Sequence, residues 1–234
     1  MIGSLLSLVV AMLVFVGGHI VLSGTAWRAT LVARTGERIF QGLFSVFALA
    51  ALVWVIEAYS AAPTVELWSA GAAPRALTLL LMVVAVPLAV LGLISPNPSA
   101  SFQEATLNRV TAGESPTLGI LAVTRHPTMW GIGLWAIGHM LANGDSASLI
   151  MFGGFAVLAF AGAYSQDRKK QLKLGADWQR FAAVTSYIPF AAIAAGRARL
   201  NLADIGWWRL ALAAILFVLL LAAHPWAFGV SPLP

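Results

Sequence analysis

Residues 124–144 read TRHPTMWGIGLWAIGHMLANG. Proline suits the first turn of a helix, where its missing N–H would have no partner anyway, so Thr124-Arg125-His126-Pro127 reads as a helix start at a membrane edge. Asn143-Gly144-Asp145 closes the stretch with a tight-turn signature. Between these signals the chain carries no charge apart from whatever His139 acquires. The stretch reads as most of a membrane span running from near Thr117 to near Leu141, the fourth of about six.

Outward from it, the other spans fall at roughly Gly3–Leu22, Ile39–Tyr59, Leu77–Ile94, Ala147–Tyr164 and Trp207–Ala223. The first lacks the basic leader and small-residue cleavage site of a signal peptide and is expected to be a retained helix. Pro87 lies inside the third span, where it can kink the helix. The chain is 60% hydrophobic and 10% charged, with a mean hydropathy of +0.86. Soluble domains carry about 25% charged residues, so this is an integral membrane protein. The expected fold is all-α: a polytopic transmembrane helix bundle with interfacial helical segments, forming one domain over residues 1–234. The long connection from Ser95 to Pro116 is expected to hold a short interfacial helix near Phe102–Val110. With no cysteine in the chain, disulfides, zinc–thiolate sites and iron–sulfur clusters are excluded, as is a thiolate-ligated haem.

The formal net charge is +5, and its placement matters more than its size. Arg28, Arg34 and Arg38 follow the first span. Arg168, Lys169, Lys170, Lys173, Arg180, Arg197 and Arg199 follow the fifth. The connections after the second and fourth spans carry acidic residues and at most one arginine. By the positive-inside rule the odd-numbered connections face the cytoplasm and both termini lie on the outer side, which is the periplasmic side if the membrane is a cell inner membrane. The partner implied is the lipid bilayer. Nucleic acid is excluded, because the basic residues sit against apolar spans.

Four histidines carry most of the chemical interest, because ionisable groups at membrane depth are costly and tend to mark sites. His126 and His139 are 13 residues apart. On one helix that separates them by about 20 Å and by about 140° around the axis, so they cannot share a metal. Arg125, Thr128, Ile132, Trp135 and His139 share one face, while His126 faces elsewhere with Trp130 and Gly133. Arg125 and His126 read either as a snorkelling pair at a helix end or as part of a site. His19 follows Gly17-Gly18, which permits close approach of a second helix or of a flat macrocycle. His139 reads as a buried histidine bonded to a neighbouring helix or as a ligand. His224-Pro225 reads as a helix-end residue. The segment from Gln166 through Thr185-Ser186-Tyr187-Ile188-Pro189-Phe190 reads as an amphipathic interfacial stretch, or as a cover over a mouth formed by Arg125 and His126.

Together these residues resemble the NnrU family of bacterial membrane proteins, which is related to the plant 15-cis-ζ-carotene isomerase. Gly18-His19, Arg34-Thr35-Gly36-Glu37-Arg38, Thr124-Arg125-His126-Pro127, Gly131, His139, Asn143-Gly144, Asp167-Arg168, Gly175, Thr185-Ser186, Ile188-Pro189-Phe190-Ala191-Ala192 and His224-Pro225 carry the resemblance in order. It implies a link to nitric-oxide metabolism in denitrifying bacteria, or cis–trans isomerisation of a polyene. It also implies haem b, with iron held by His19 and His139 and with Arg125 and His126 in the catalytic region. By depth along the spans His126 is the alternative partner of His19. A hydrophobic small molecule or nitric oxide is then the ligand. A weaker similarity runs to isoprenylcysteine-type membrane methyltransferases, implying S-adenosylmethionine at the cytoplasmic mouth. Thr128-Met129 and Gln166-Asp167 depart from that pattern. A non-enzymatic assembly or regulatory protein is the third alternative.

Overall fold

A computed structural model of the protein describes residues 3–69, 71–100, 103–108 and 118–233. The described chain is helical, in the order α1 (Leu5–Gly24), α2 (Ala26–Thr35), α3 (Glu37–Ala61), α4 (Ala72–Ile94), α5 (Pro127–Asn143), α6 (Ser146–Leu174), α7 (Ala176–Val184), α8 (Ala191–Ala194), α9 (Leu202–Ile205) and α10 (Trp207–Phe228). Helices α1, α3, α4, α6 and α10 are long and apolar enough to cross a membrane. The 17-residue α5 is about 25 Å long, at the lower limit for a span. It packs against α4 on one side and α6 on the other.

The boundaries follow from local chemistry. Ser4 caps α1 by accepting from the Ser7 N–H, and Asp145 caps α6 by accepting from the Ser148 N–H. Gly144 ends α5 at φ +68°, and a Cβ there would sit 2.1 Å from the Trp68 carbonyl oxygen. Two expected boundaries differ. The basic stretch after the first span is a helix, α2, capped by Thr25. The fourth span starts at Pro127; residues 118–123 before it include a 3₁₀ turn (Gly119–Ala122) buried with Trp178, Phe181 and Ile205. The expected start at Thr117 lies outside the described residues; of the expected helix at 102–110, residues 103–108 are described and include a 3₁₀ turn (Glu104–Thr106).

The two ends of the bundle are defined by contacts between connections. At one end the Leu67 N–H donates to the Gly144 carbonyl at 2.8 Å and the Ser146 N–H to Val65 at 2.9 Å, joining the α3–α4 and α5–α6 turns. At the other end Lys169 donates to the Ser23 carbonyl at 2.9 Å, and Lys170 pairs with Glu104 at 2.9 Å. The basic residues of α2 and of the second half of α6 thus gather at one end, here called the basic end. This agrees with the pairing of odd-numbered connections expected from charge.

Helices α4 and α5 approach closely because their contact is made of small residues. A Cβ on Gly131 would lie 2.6 Å from both the Ala85 carbonyl oxygen and the Ala89 nitrogen, and one on Gly92 would lie 2.5 Å from the Thr128 nitrogen. On α1, Gly18 receives the Phe47 ring, whereas Gly17 has open space. Large apolar side chains such as Val46, Leu80 and Val218 are more than half exposed and form the lipid-facing surface.

Candidate functional site

The α5 start is built by two segments that zip together. The Thr124 hydroxyl donates to the Tyr187 carbonyl at 2.7 Å, the Arg125 N–H to Ser186 at 2.9 Å, and the Phe190 N–H to Val123 at 2.7 Å. Trp130 Nε1 also donates to the Tyr187 carbonyl, at 2.8 Å, and the Tyr187 hydroxyl donates to Phe160 on α6 at 2.9 Å. The 185–190 segment therefore does cover the Arg125–His126 turn. Phe190 adopts the left-handed conformation, φ 64°, to turn into α8.

Asp167 of α6 receives this turn. Its carboxylate accepts from Arg125 Nε at 2.9 Å on both oxygens and from Arg125 Nη2 on Oδ2. It also accepts from His126 Nε2 on Oδ1 at 2.5 Å. An ionised carboxylate only accepts, so Nε2 must carry the proton. In the neutral imidazole Nδ1 then keeps its lone pair. His126 is 2% exposed, and its Nδ1 has no hydrogen-bond partner among the described residues. A cation beside a carboxylate that also orients a histidine is a common way to hold an imidazole in one tautomer for proton transfer.

His126 borders a cavity of about 280 Å³. Gly92 and Leu93 of α4 form one wall, Asn97, Ala100 and Gln103 of the following loop another, and Thr128, Met129 and Gln166 the rest. Leu93 is 67% exposed, so the cavity reaches the lipid-facing surface. The loop wall is pinned from α6: Lys170, nearly buried, donates to the Ala100 carbonyl at 2.9 Å and pairs with Glu104. Burial alone would raise the Glu104 carboxyl, but its bonds to Lys170 and Lys173 outweigh burial and hold it at about 2. Burial, followed by the Asp167 charge, pushes the Tyr187 phenol above its ordinary range.

Of the residues singled out from sequence, Arg125 and His126 meet in this cluster. Asp167, which holds both, was visible only as part of Gln166-Asp167-Arg168 beyond the expected end of the fifth span. His19 and His139 lie elsewhere and apart. His19 Nδ1 donates to the Phe15 carbonyl at 2.7 Å, and its ring packs on Phe15 and on Phe44, near the basic end of α3. His139 Nδ1 donates to Trp135 at 2.9 Å, and its ring packs on Phe152 and His224, toward the opposite end. Between them stand Phe15, Phe155 and Trp135, in contact at 5.5 and 5.6 Å. Each Nε2 is chemically suited to bind iron, because a carbonyl fixes the proton on Nδ1. Among the described residues no ring contact joins His19 directly to His139. Among the described residues no three histidine, aspartate or glutamate side chains form a metal-binding group.

The fold is that of a multi-pass helical membrane protein with a polar, ion-paired cluster at one end and an adjoining cavity. The chain belongs to the NnrU protein family, which matches residues 7–232. It is 37% identical over 79 residues to the chloroplastic 15-cis-zeta-carotene isomerase of Arabidopsis thaliana, covering 34% of this chain and 22% of the relative. It is 34% identical over 99 residues to the protein of the same name from Zea mays, covering 40% of this chain and 27% of the relative. The matches thus span about a quarter of the length of these relatives. No solved structure matches the chain.

Proposed function

We propose that the protein is a membrane-embedded enzyme that isomerises an unsaturated, lipid-soluble molecule, with a polyene as the favoured substrate. The observation that carries this reading is the buried His126 imidazole, oriented by Asp167 through Nε2 and unpartnered at Nδ1, in a residue that borders a cavity also lined by Leu93. The names of the two plant relatives favour cis–trans isomerisation as the reaction. Nδ1 would take a proton from an sp³ carbon beside the conjugated system; the electron pair of the broken C–H bond would delocalise into the chain and lower the order of the neighbouring double bond, and return of the same proton from Nδ1 to carbon would fix the new isomer. Asp167 and Arg125 keep the imidazole in place throughout. A cavity of about 280 Å³ admits a segment of such a chain, with the remainder lying along Leu93 in the bilayer.

The basic end is assigned to the cytoplasm of the bacterial inner membrane. The test is conversion of a cis-polyene by the protein in liposomes, followed by chromatographic separation of isomers. Wild type should convert it, and His126→Gln should lose about 10²- to 10⁴-fold, the range of a general acid–base group. An inactive wild type, or a His126→Gln protein of full activity, would refute the reading.

A further inference from the structure

Helices α1, α2 and α3 meet at the basic end around an apolar niche of about 220 Å³. Leu22 of α1, Leu31 of α2 and Phe40, Leu43, Phe44 and Phe47 of α3 line it. Thr35 supplies the one hydroxyl of the wall, and that hydroxyl donates to the Leu31 carbonyl at 2.9 Å. The wall therefore offers a guest hydrocarbon and aromatic contacts. Leu43, 61% exposed, belongs both to the niche and to the outer surface of α3. Positive charge stands at the edge of this niche. The Arg28 guanidinium lies over the Phe40 ring, 5.4 Å from its centre. Lys169 of α6 donates to the carbonyl of Ser23, the residue after Leu22, at 2.9 Å. Arg28 pairs with Glu37, whereas Lys169 has no carboxylate partner among the described residues. The charges that act on Lys169 are those of Arg28 and Lys170, both positive. Arg34 and Arg38, both exposed, flank the Gly36 turn between α2 and α3. Arg28, Arg34, Arg38 and Lys169 against Glu37 make this corner strongly positive.

We propose that this corner holds one anionic phospholipid, with part of an acyl chain in the niche and the phosphate beside Lys169 and Arg28. Charge complementarity selects that occupant. The apolar wall takes hydrocarbon from any lipid, but a zwitterionic headgroup brings its own cation to an edge that is already positive. An anionic headgroup brings none, and each basic residue near an anionic lipid surface is worth about 5-fold in affinity. Lys169 is equipped to receive the phosphate. Its ammonium has three donors, and the Ser23 carbonyl takes one of them. Trp27, 65% exposed on α2, is the kind of side chain that sits at headgroup level. Bound there, the lipid joins α1, α2 and α3 to α6.

The experiment uses the full chain in detergent micelles, mixed with dioleoyl phosphatidylglycerol or with dioleoyl phosphatidylcholine. The two lipids share their acyl chains and differ in charge. Native mass spectrometry reads the dissociation constant of the first bound lipid, and circular dichroism confirms that each variant folds. Wild type should hold phosphatidylglycerol at least about 5-fold more tightly than phosphatidylcholine. Lys169→Gln should weaken phosphatidylglycerol binding about 5-fold and leave phosphatidylcholine unchanged. Arg28→Gln is a second charge variant with the same direction of effect. Leu31→Trp, which fills the niche and keeps every charge, should also weaken phosphatidylglycerol binding. Arg199→Gln removes an exposed charge from the α8–α9 connection and should change neither lipid. Equal affinity for the two lipids overturns the proposal. So does phosphatidylglycerol affinity that is unchanged in both charge variants or in Leu31→Trp, or that falls as far in Arg199→Gln as in Lys169→Gln.

Discussion

Asp167→Asn is the most revealing single substitution in this protein. The amide would keep the shape of the side chain but lose the charge that neutralises Arg125, and with one acceptor oxygen in place of two it could no longer receive both Arg125 Nη2 and His126 Nε2 on separate oxygens. The side chains concerned are little exposed: 14% for Arg125, 1% for His126 and 19% for Asp167. Breaking a buried ion pair by removing one partner costs about 3–5 kcal/mol, mostly because the other charge stays buried. Solvent reaches Asp167 and Arg125 in part, which places the expected loss at the lower end, about 3 kcal/mol. Reversible unfolding in mixed micelles as the fraction of sodium dodecyl sulfate is raised would measure it. Arg125→Met introduced together with Asp167→Asn should then cost less than Arg125→Met in wild type, by a coupling of about 0.5–3 kcal/mol. A loss below about 0.5 kcal/mol for Asp167→Asn, the scale of a neutral surface change, would show that the cluster does not form and would refute the reasoning.

Three other outcomes follow from the same structure. Gly131→Ala should destabilise by about 1–3 kcal/mol, because its Cβ would meet α4 backbone atoms at 2.6 Å, while Gly17→Ala, with open space around it, should be neutral or slightly stabilising; mixed-micelle unfolding of the pair checks this. Glu104 is held at about 2, below its ordinary 4.5, so its pairing stabilises the fold fully above that ordinary value and the contribution is lost as pH falls from about 4.5 towards 2. The stability difference between wild type and Glu104→Gln should therefore shrink over that window when unfolding is compared at several pH values. The Tyr187 phenol should ionise above the ordinary tyrosine range, so an ultraviolet titration of wild type minus Tyr187→Phe should show a late component.

Much of the bundle was legible because lipid imposes long apolar helices and charge placement shows which connections share an end. The contacts of Lys169 with Ser23 and of Leu67 with Gly144 bear out that pairing of connections. Hydropathy failed where apolar residues serve the protein interior instead of lipid. Leu121 and Val123 read as the start of a span but are buried against the α7–α9 region. It failed again where a helix outlasts its apolar stretch. Helix α6 runs to Leu174, ten residues past Tyr164, and that polar extension carries Asp167 to the α5 start. Helical periodicity correctly separated His126 from His139. It could not say which distant ring each would meet, since that depends on how helices far apart in sequence are packed. The contact of His139 with His224 was therefore invisible before the fold.

Histidine-selective ¹⁵N resonance spectroscopy tests the central claim most directly, because the chain has only 4 histidines. With His126 assigned by its loss in His126→Gln, the account predicts a ring protonated on Nε2. That resonance should move in Asp167→Asn, and the Nδ1 resonance should shift when a cis-polyene is added. A His126 ring carrying its only proton on Nδ1, indifferent to Asp167→Asn, would contradict it.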